Sequence, residues 1–186
     1  MKILILLALG LAVSGCVTTP EGGAKTVGCT YLGEVETWTI TQEESRVHLP
    51  AKPDLKVKEI QARKVGANRY QEIHLYAGGS ARLELIQTGG FVLASNSEFK
   101  KLTGGFKGVD SGVLDIQKTG DMKYAHYKRG EAPCIVFVSV FGDLIWAERN
   151  MYNATLTGYY CRKPGGDPAV LEKDVIAYVK KLKLRD

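Results

Sequence analysis

The sequence predicts an α+β fold, a largely antiparallel sheet with a C-terminal amphipathic helix packed on one face. The helix signal is the clearest in the chain. Asp167 stands at a capping position, Pro168 fills the first helical site, and Leu171, Val175, Tyr178, Val179 and Leu182 recur at helical spacing. The run "CIVFVSVFG", beginning at Cys134, is rich in β-branched and aromatic side chains and too short to cross a bilayer, which suits a buried strand. Apolar segments also flank Thr88-Gly89-Gly90 and Thr119-Gly120-Asp121, the pattern of two antiparallel hairpins.

Taken in order, "YLGEVETWTI" alternates valine, tryptophan and isoleucine, which makes residues 30–40 a strand. The segment "PDLKVKEIQARKVGAN" has a start signal at Asp54 and a stop at Gly66, with Val57, Ile60 and Val65 on one side, and predicts a helix. "YQEIHLYAG" returns to strand character. "ARLELIQ" and "FVLAS" form the first hairpin, "SEFKKL" a short helix closed by Gly104, and "GVLDIQ" with "MKYAHYKR" the second hairpin. The strand from Cys134, a further strand around Trp146, and "ATLTGYYC" lead to the terminal helix. Glu172 and Asp174 near its start and Lys180, Lys181, Lys183 and Arg185 near its end complement a helix dipole.

A formal charge of +5, spread along the chain, is a mild bias toward anionic neighbours and not the footprint of a nucleic-acid partner. The one dense basic cluster, "KKLKLR", sits where a helix end accounts for it.

At the N-terminus, Lys2 precedes the apolar run "ILILLALGLAV" and the small residues Ser14 and Gly15, the layout of an export signal over residues 1–15. The tetrad Val13-Ser14-Gly15-Cys16 resembles the lipobox of bacterial lipoproteins. The resemblance implies a diacylglyceryl group on the Cys16 sulfur, cleavage before Cys16, and an acylated new amine. Two or three long chains anchor a protein stably where one does not, each buried methylene contributing about 0.8 kcal/mol. Val17 in place of an aspartate implies the outer membrane, with the protein facing the periplasm, lipid-anchored through its acyl chains. Residues 16–28 read as the lipidated cysteine and a flexible tether, and 29–186 as one α+β domain, with a subdivision near 78–80 as the alternative.

An exported chain can form disulfides, and Cys29, Cys134 and Cys161 leave one thiol over. Cys134 with Cys161 is the expected pair, because both lie on strand-like segments with a returning antiparallel path between them. Such a link would add roughly 3–4 kcal/mol in the chain-entropy model. The rival pairings join Cys29 to either one. "CTYLGEVE" with "ARKVGANRYQEI" is similar to small Gram-negative envelope lipoproteins, including the Rcs stress-sensor group, where such a run precedes a helix ending in a Gly-Ala-Asn turn. The additional cysteines of that group's paired disulfides are not in this chain. "CIVFVSVFG" followed by "LTGYYC" resembles uncharacterised exported proteobacterial proteins with two cysteines so placed, which supports the same pairing.

Motifs for catalysis do not assemble. "GVDSG" puts Ser111 in a loop and not in a nucleophile elbow. No spacing brings Cys29 beside His48, His74 or His126, no cysteine or histidine pair has metal-ligand spacing, and "GGFKG" lacks phosphate-loop spacing, so no cofactor is expected. Trp146, Tyr152, Tyr159 and Tyr160 concentrate near the expected disulfide and are the candidate binding surface, although neighbours such as Tyr159 and Tyr160 point to opposite faces of one strand. The expected function is a non-catalytic binding or scaffolding role for an envelope protein or polysaccharide. The alternatives are a hydrolase acting on peptidoglycan or polysaccharide, and a thiol-based envelope stress sensor.

Overall fold

A computed structural model describes residues 26–30, 33–52, 54–93, 96–110, 112–146 and 151–185, with the side chains of 26–34, 89–98 and 143–151 outside that description. The leader, Cys16, residues 17–25 of the tether and Ser111 lie outside the described residues. The chain forms β1 (Thr26–Thr30), β2 (Gly33–Ile40), β3 (Val47–His48), β4 (Val57–Val65), β5 (Arg69–Tyr76), β6 (Ala81–Leu93), α1 (Asn96–Thr103), β7 (Gln117–Thr119), β8 (Met122–Arg129), β9 (Ala132–Trp146), β10 (Met151–Cys161), α2 (Pro168–Val179) and β11 (Lys183–Leu184). The architecture is α+β but dominated by strand.

Nine strands make one antiparallel sheet in the order β1-β2-β4-β5-β6-β10-β9-β8-β7, and β3 pairs separately with β11. Two up-and-down meanders meet where β6 pairs with β10. Side-chain alternation separates two cores. On one face Leu83, Leu85, Met122, Tyr124, Ile135, Phe137 and Leu156 pack under Leu171, Val175 and Val179 of α2. On the other, Val136, Val138 and Ala125 pack under Phe99 of α1 and Phe106 of the following loop. Both faces of β9 are thus covered, which is why residues 134–138 are apolar at every position. Burying each large side chain of this kind contributes roughly 1.5–3 kcal/mol.

The terminal helix forms as its signals require, the Asp167 carboxylate accepting the Ala169 N–H at 2.8 Å with Pro168 at the first position. It stops at Val179, so Leu182 is buried beyond it and the basic cluster falls at its C-cap and after, not in its last turn. No acidic side chain sits in its first turn; Glu172 instead reaches across to β8. Among the described residues no helix is long and apolar enough to cross a membrane.

Several local expectations change. Residues 54–66 are not a helix: Val57–Val65 is strand β4, and Gly66-Ala67-Asn68 turns it into β5 with Val65 opposite Arg69. β-branched Val57, Ile60 and Val65 and two open partner strands override a weak helical period. Thr88-Gly89-Gly90 is no hairpin turn either, because β6 runs on to Leu93. Its register against β10 jumps from Gln87–Ala154 to Val92–Tyr152, so the glycines sit in an irregular stretch of one strand. The segments from Cys134 and around Trp146 are likewise one strand, β9, bent where Gly142 takes φ +83°. A Cβ there would lie 2.2 Å from Asn153 Oδ1 and 2.8 Å from Leu184 Cδ1. Only Gln117–Thr119 of the second hairpin's first arm is strand, while Leu114 and Ile116 pack against the α1-side core. Residues 26–28, the expected end of the tether, begin β1.

Cys134 and Cys161 stand opposite each other on β9 and β10 and form a disulfide. Both are buried, and the Tyr127 hydroxyl lies 3.8 Å from Cys161 Sγ.

Candidate functional site

β4 and β5 carry polar residues on the face that α2 covers farther along the sheet. Cross-strand pairing puts Ile60 beside His74, Ala62 beside Glu72 and Lys64 beside Tyr70, while β6 continues the rows with Leu83, Leu85 and Gln87. Here the covering element is not a helix but the segment around Ser45–Leu49, whose Val47 and Leu49 enter the α2-side core.

Glu72 is fully buried beneath that segment. One carboxylate oxygen accepts the Arg46 backbone N–H at 2.7 Å and the Tyr70 hydroxyl at 2.8 Å. The other accepts the Ser45 hydroxyl at 2.7 Å and lies 3.2 Å from His74 Nε2. Burial pushes the Glu72 carboxyl up, but hydrogen bonds from His74, the Arg46 N–H, Ser45 and Tyr70 outweigh it and hold the group below the usual carboxylate range. An ionised Glu72 thus clamps the 45–47 segment onto β5, and burial raises the Tyr70 hydroxyl so that it stays a donor.

The clamp sets the floor of an open groove of about 560 Å³ at this end of the sheet, lined by Trp38, Arg46, Lys64, Arg69, Tyr70 and Gln87 among others. The Arg46 guanidinium carbon sits 3.9 Å above the Tyr70 ring, and its Nη1 donates to Gln87 Oε1 at 2.6 Å. Trp38 and Tyr70 form tilted walls with ring centroids 6.4 Å apart at 54°. Arg69 precedes Tyr70 on β5 and so points to the other face of the sheet, its buried Nε having no hydrogen-bond partner among the described residues. A guanidinium held flat by a ring and an amide keeps donors for a planar or tetrahedral anion, and tilted aromatic walls offer faces to a ring with axial C–H groups. Glu72 lies under the floor, engaged by four donors, so it positions the groove and is not placed to exchange protons with an occupant.

Of the aromatic residues singled out from the sequence, Tyr159 and Tyr160 lie on opposite faces of the sheet. Tyr160 is buried in the α2-side core, its hydroxyl donating to Asp54 and its ring under Lys52 Nζ at 4.6 Å. Tyr159 faces the other way, edge-on to Phe106 with centroids 5.4 Å apart, and its hydroxyl donates to the Gly79 carbonyl at 3.4 Å. Tyr152 is half-buried near the β10 irregularity, and the Trp146 side chain lies outside the described residues. Of the histidines, His48 is exposed on β3, His74 belongs to the Glu72 network and His126 lies 2.8 Å from Glu172. Cys29 sits on β1 with its side chain outside the description. Among the described residues no three His, Cys, Asp or Glu side chains gather to hold a metal.

The groove residues escaped sequence reading because Lys64 lies in the segment read as a helix, and because Arg46 is remote from β5 along the chain. The recoverable signal was two strand-length runs on either side of Gly66-Ala67-Asn68, a hairpin that would have aligned Lys64 with Tyr70. No family model, no curated protein and no solved structure matches the chain.

Proposed function

We propose that this chain is a lipid-anchored envelope lipoprotein with a non-catalytic binding role, and that it takes its ligand in the groove between Trp38, Tyr70, Arg46 and Gln87. The observation that carries this reading is the groove's construction: recognition groups at its surface, and its acid fully buried and consumed in holding them. The lipobox-like Val13-Ser14-Gly15-Cys16 supports acylation at Cys16, and Val17 supports the outer membrane with the protein facing the periplasm. The chain contributes binding at the membrane surface and no turnover.

The test has two parts. Protein made in a Gram-negative host should carry a diacylglyceryl thioether on Cys16 and lack residues 1–15; an intact leader or a bare sulfur would remove the anchor. The same full chain in non-ionic detergent should sediment with isolated, membrane-free cell wall, and a Trp38→Ala variant should not. Turnover of purified cell wall, abolished by changing one acidic residue, would replace this reading with a hydrolase.

A further inference from the structure

We infer that the groove recognises an acidic saccharide, a sugar ring bearing a carboxylate or phosphate, with the anion on Arg46 and the ring against Trp38 and Tyr70. This rests on the groove being the binding site. Its volume of about 560 Å³ suits a small ligand. Three independent features converge on this chemistry.

The cationic side is built, not incidental. Arg46 has its backbone N–H on buried Glu72, its guanidinium stacked on Tyr70 and one nitrogen on Gln87, so it is already ordered before a ligand arrives. Its guanidinium is held by an aromatic face and a neutral amide, which leave its charge uncompensated at that contact. Lys64 is the weaker cation here, because Glu36 stands in register beside it on β2.

The aromatic side presents two rings tilted at 54°, a wedge suited to the C–H face of a sugar rather than to a flat stack of bases. Between the two sides, the Gln87 amide has used its oxygen on Arg46 and retains its NH₂ donors, and Asn68 at the β4–β5 turn is exposed. Amides that donate and accept within one group match vicinal hydroxyls. An acidic peptide would use Arg46 but not the wedge, and a neutral glycan would use the wedge but not Arg46.

The test is calorimetric titration of the full chain in non-ionic detergent with trigalacturonate, mannose 6-phosphate, maltotriose, a triglutamate peptide and inorganic phosphate. The expected result is binding of at least one of the two acidic sugars, with maltotriose, triglutamate and phosphate each weaker by about tenfold or more, and affinity falling as salt rises. The tighter acidic sugar identifies the anionic group. Arg46→Gln should weaken binding about tenfold while its unfolding midpoint stays unchanged, because the variant keeps the backbone N–H on Glu72, which separates recognition from folding. Equal binding of maltotriose, triglutamate or phosphate, or no binding of either acidic sugar, would overturn the proposal. In that last case, Trp38-dependent sedimentation with cell wall would still uphold the groove as a binding site, whereas loss of both would end that reading too.

Discussion

The two meanders of the sheet put the same kind of strand to different uses. In β6, β10, β9 and β8 both faces are roofed, by α2 on one side and by α1 with its following loop on the other, and the buried side chains are mostly apolar, with Glu84, Ser139, Thr155 and Thr157 among them. In β2, β4 and β5 the covered part of one face holds Glu72 and His74 beneath Ser45, and the groove lies beyond it. A mostly apolar double-faced core gives rigidity but offers a ligand little chemistry. A buried carboxylate costs desolvation, offset here by four donors, and what it provides is a fixed geometry for Arg46 and Tyr70. On the proposed reading, stability and recognition are concentrated in opposite halves of one sheet.

That division is open to direct attack. Leu156→Ala, in the covered half and fully buried, should cost about 2–5 kcal/mol in denaturant unfolding while leaving ligand affinity per folded molecule unchanged. Replacing Cys134 and Cys161 together by serine should lower stability by roughly 3–4 kcal/mol, again with the groove intact, as measured by the same unfolding curves. Gly158→Ala should destabilise by about 1–3 kcal/mol, because a Cβ would stand 2.4 Å from the Arg82 carbonyl and 3.0 Å from the Phe137 ring. Lys64→Ala, exposed in the groove half, should change stability by no more than about 0.5 kcal/mol.

The smallest effect concerns pH. The Glu172 carboxylate, hydrogen-bonded by His126 at 2.8 Å and Tyr124 at 2.9 Å, is held below its ordinary range chiefly by His126, against a smaller opposing push from burial. A depressed carboxyl contributes stability above its unfolded value of 4.5 and loses it as pH falls through the folded value. Glu172→Gln should therefore flatten the acid side of the stability profile below pH 4.5 by a few tenths of a kcal/mol, since the pair is partly exposed. An unchanged acid limb would show that this link does not fasten α2 to β8.

Legibility in the sequence followed that division only in part. In the covered half the Asp167-Pro168 cap, the apolar face of α2, the strand from Cys134 and the opposed cysteines were readable, but the continuation of β6 through Gly89-Gly90 and of β9 past Gly142 was not. In the uncovered half β2 and β5 were readable as strands and β4 was not. In "VKEIQARKV" charged residues occur on both sides of the strand, so the alternation that identifies a half-buried strand is absent, and Ile60 and Val57 could be placed on a helical stripe equally well. Glycines misled for a related reason, since Gly89-Gly90 has the composition of a turn but occupies an irregular stretch of a strand paired on both sides of it. The second roof, α1 with Phe99 and Phe106, could be recognised as a short helix from "SEFKKL", yet nothing local says which face of the sheet it covers. The groove depends on Arg46 meeting Tyr70 and Gln87 across long stretches of chain, and only tertiary structure supplies that.

The most direct test is a backbone amide chemical-shift map of the ¹⁵N-labelled full chain in non-ionic detergent during titration with trigalacturonate or mannose 6-phosphate, whichever binds. Shifts should cluster at Trp38, Arg46, Lys64 to Tyr70 and Gln87, with β8 and the middle of β9 unmoved. Shifts centred instead on α2, Tyr159 or the Trp146 end of β9 would contradict the assignment of recognition to the uncovered half.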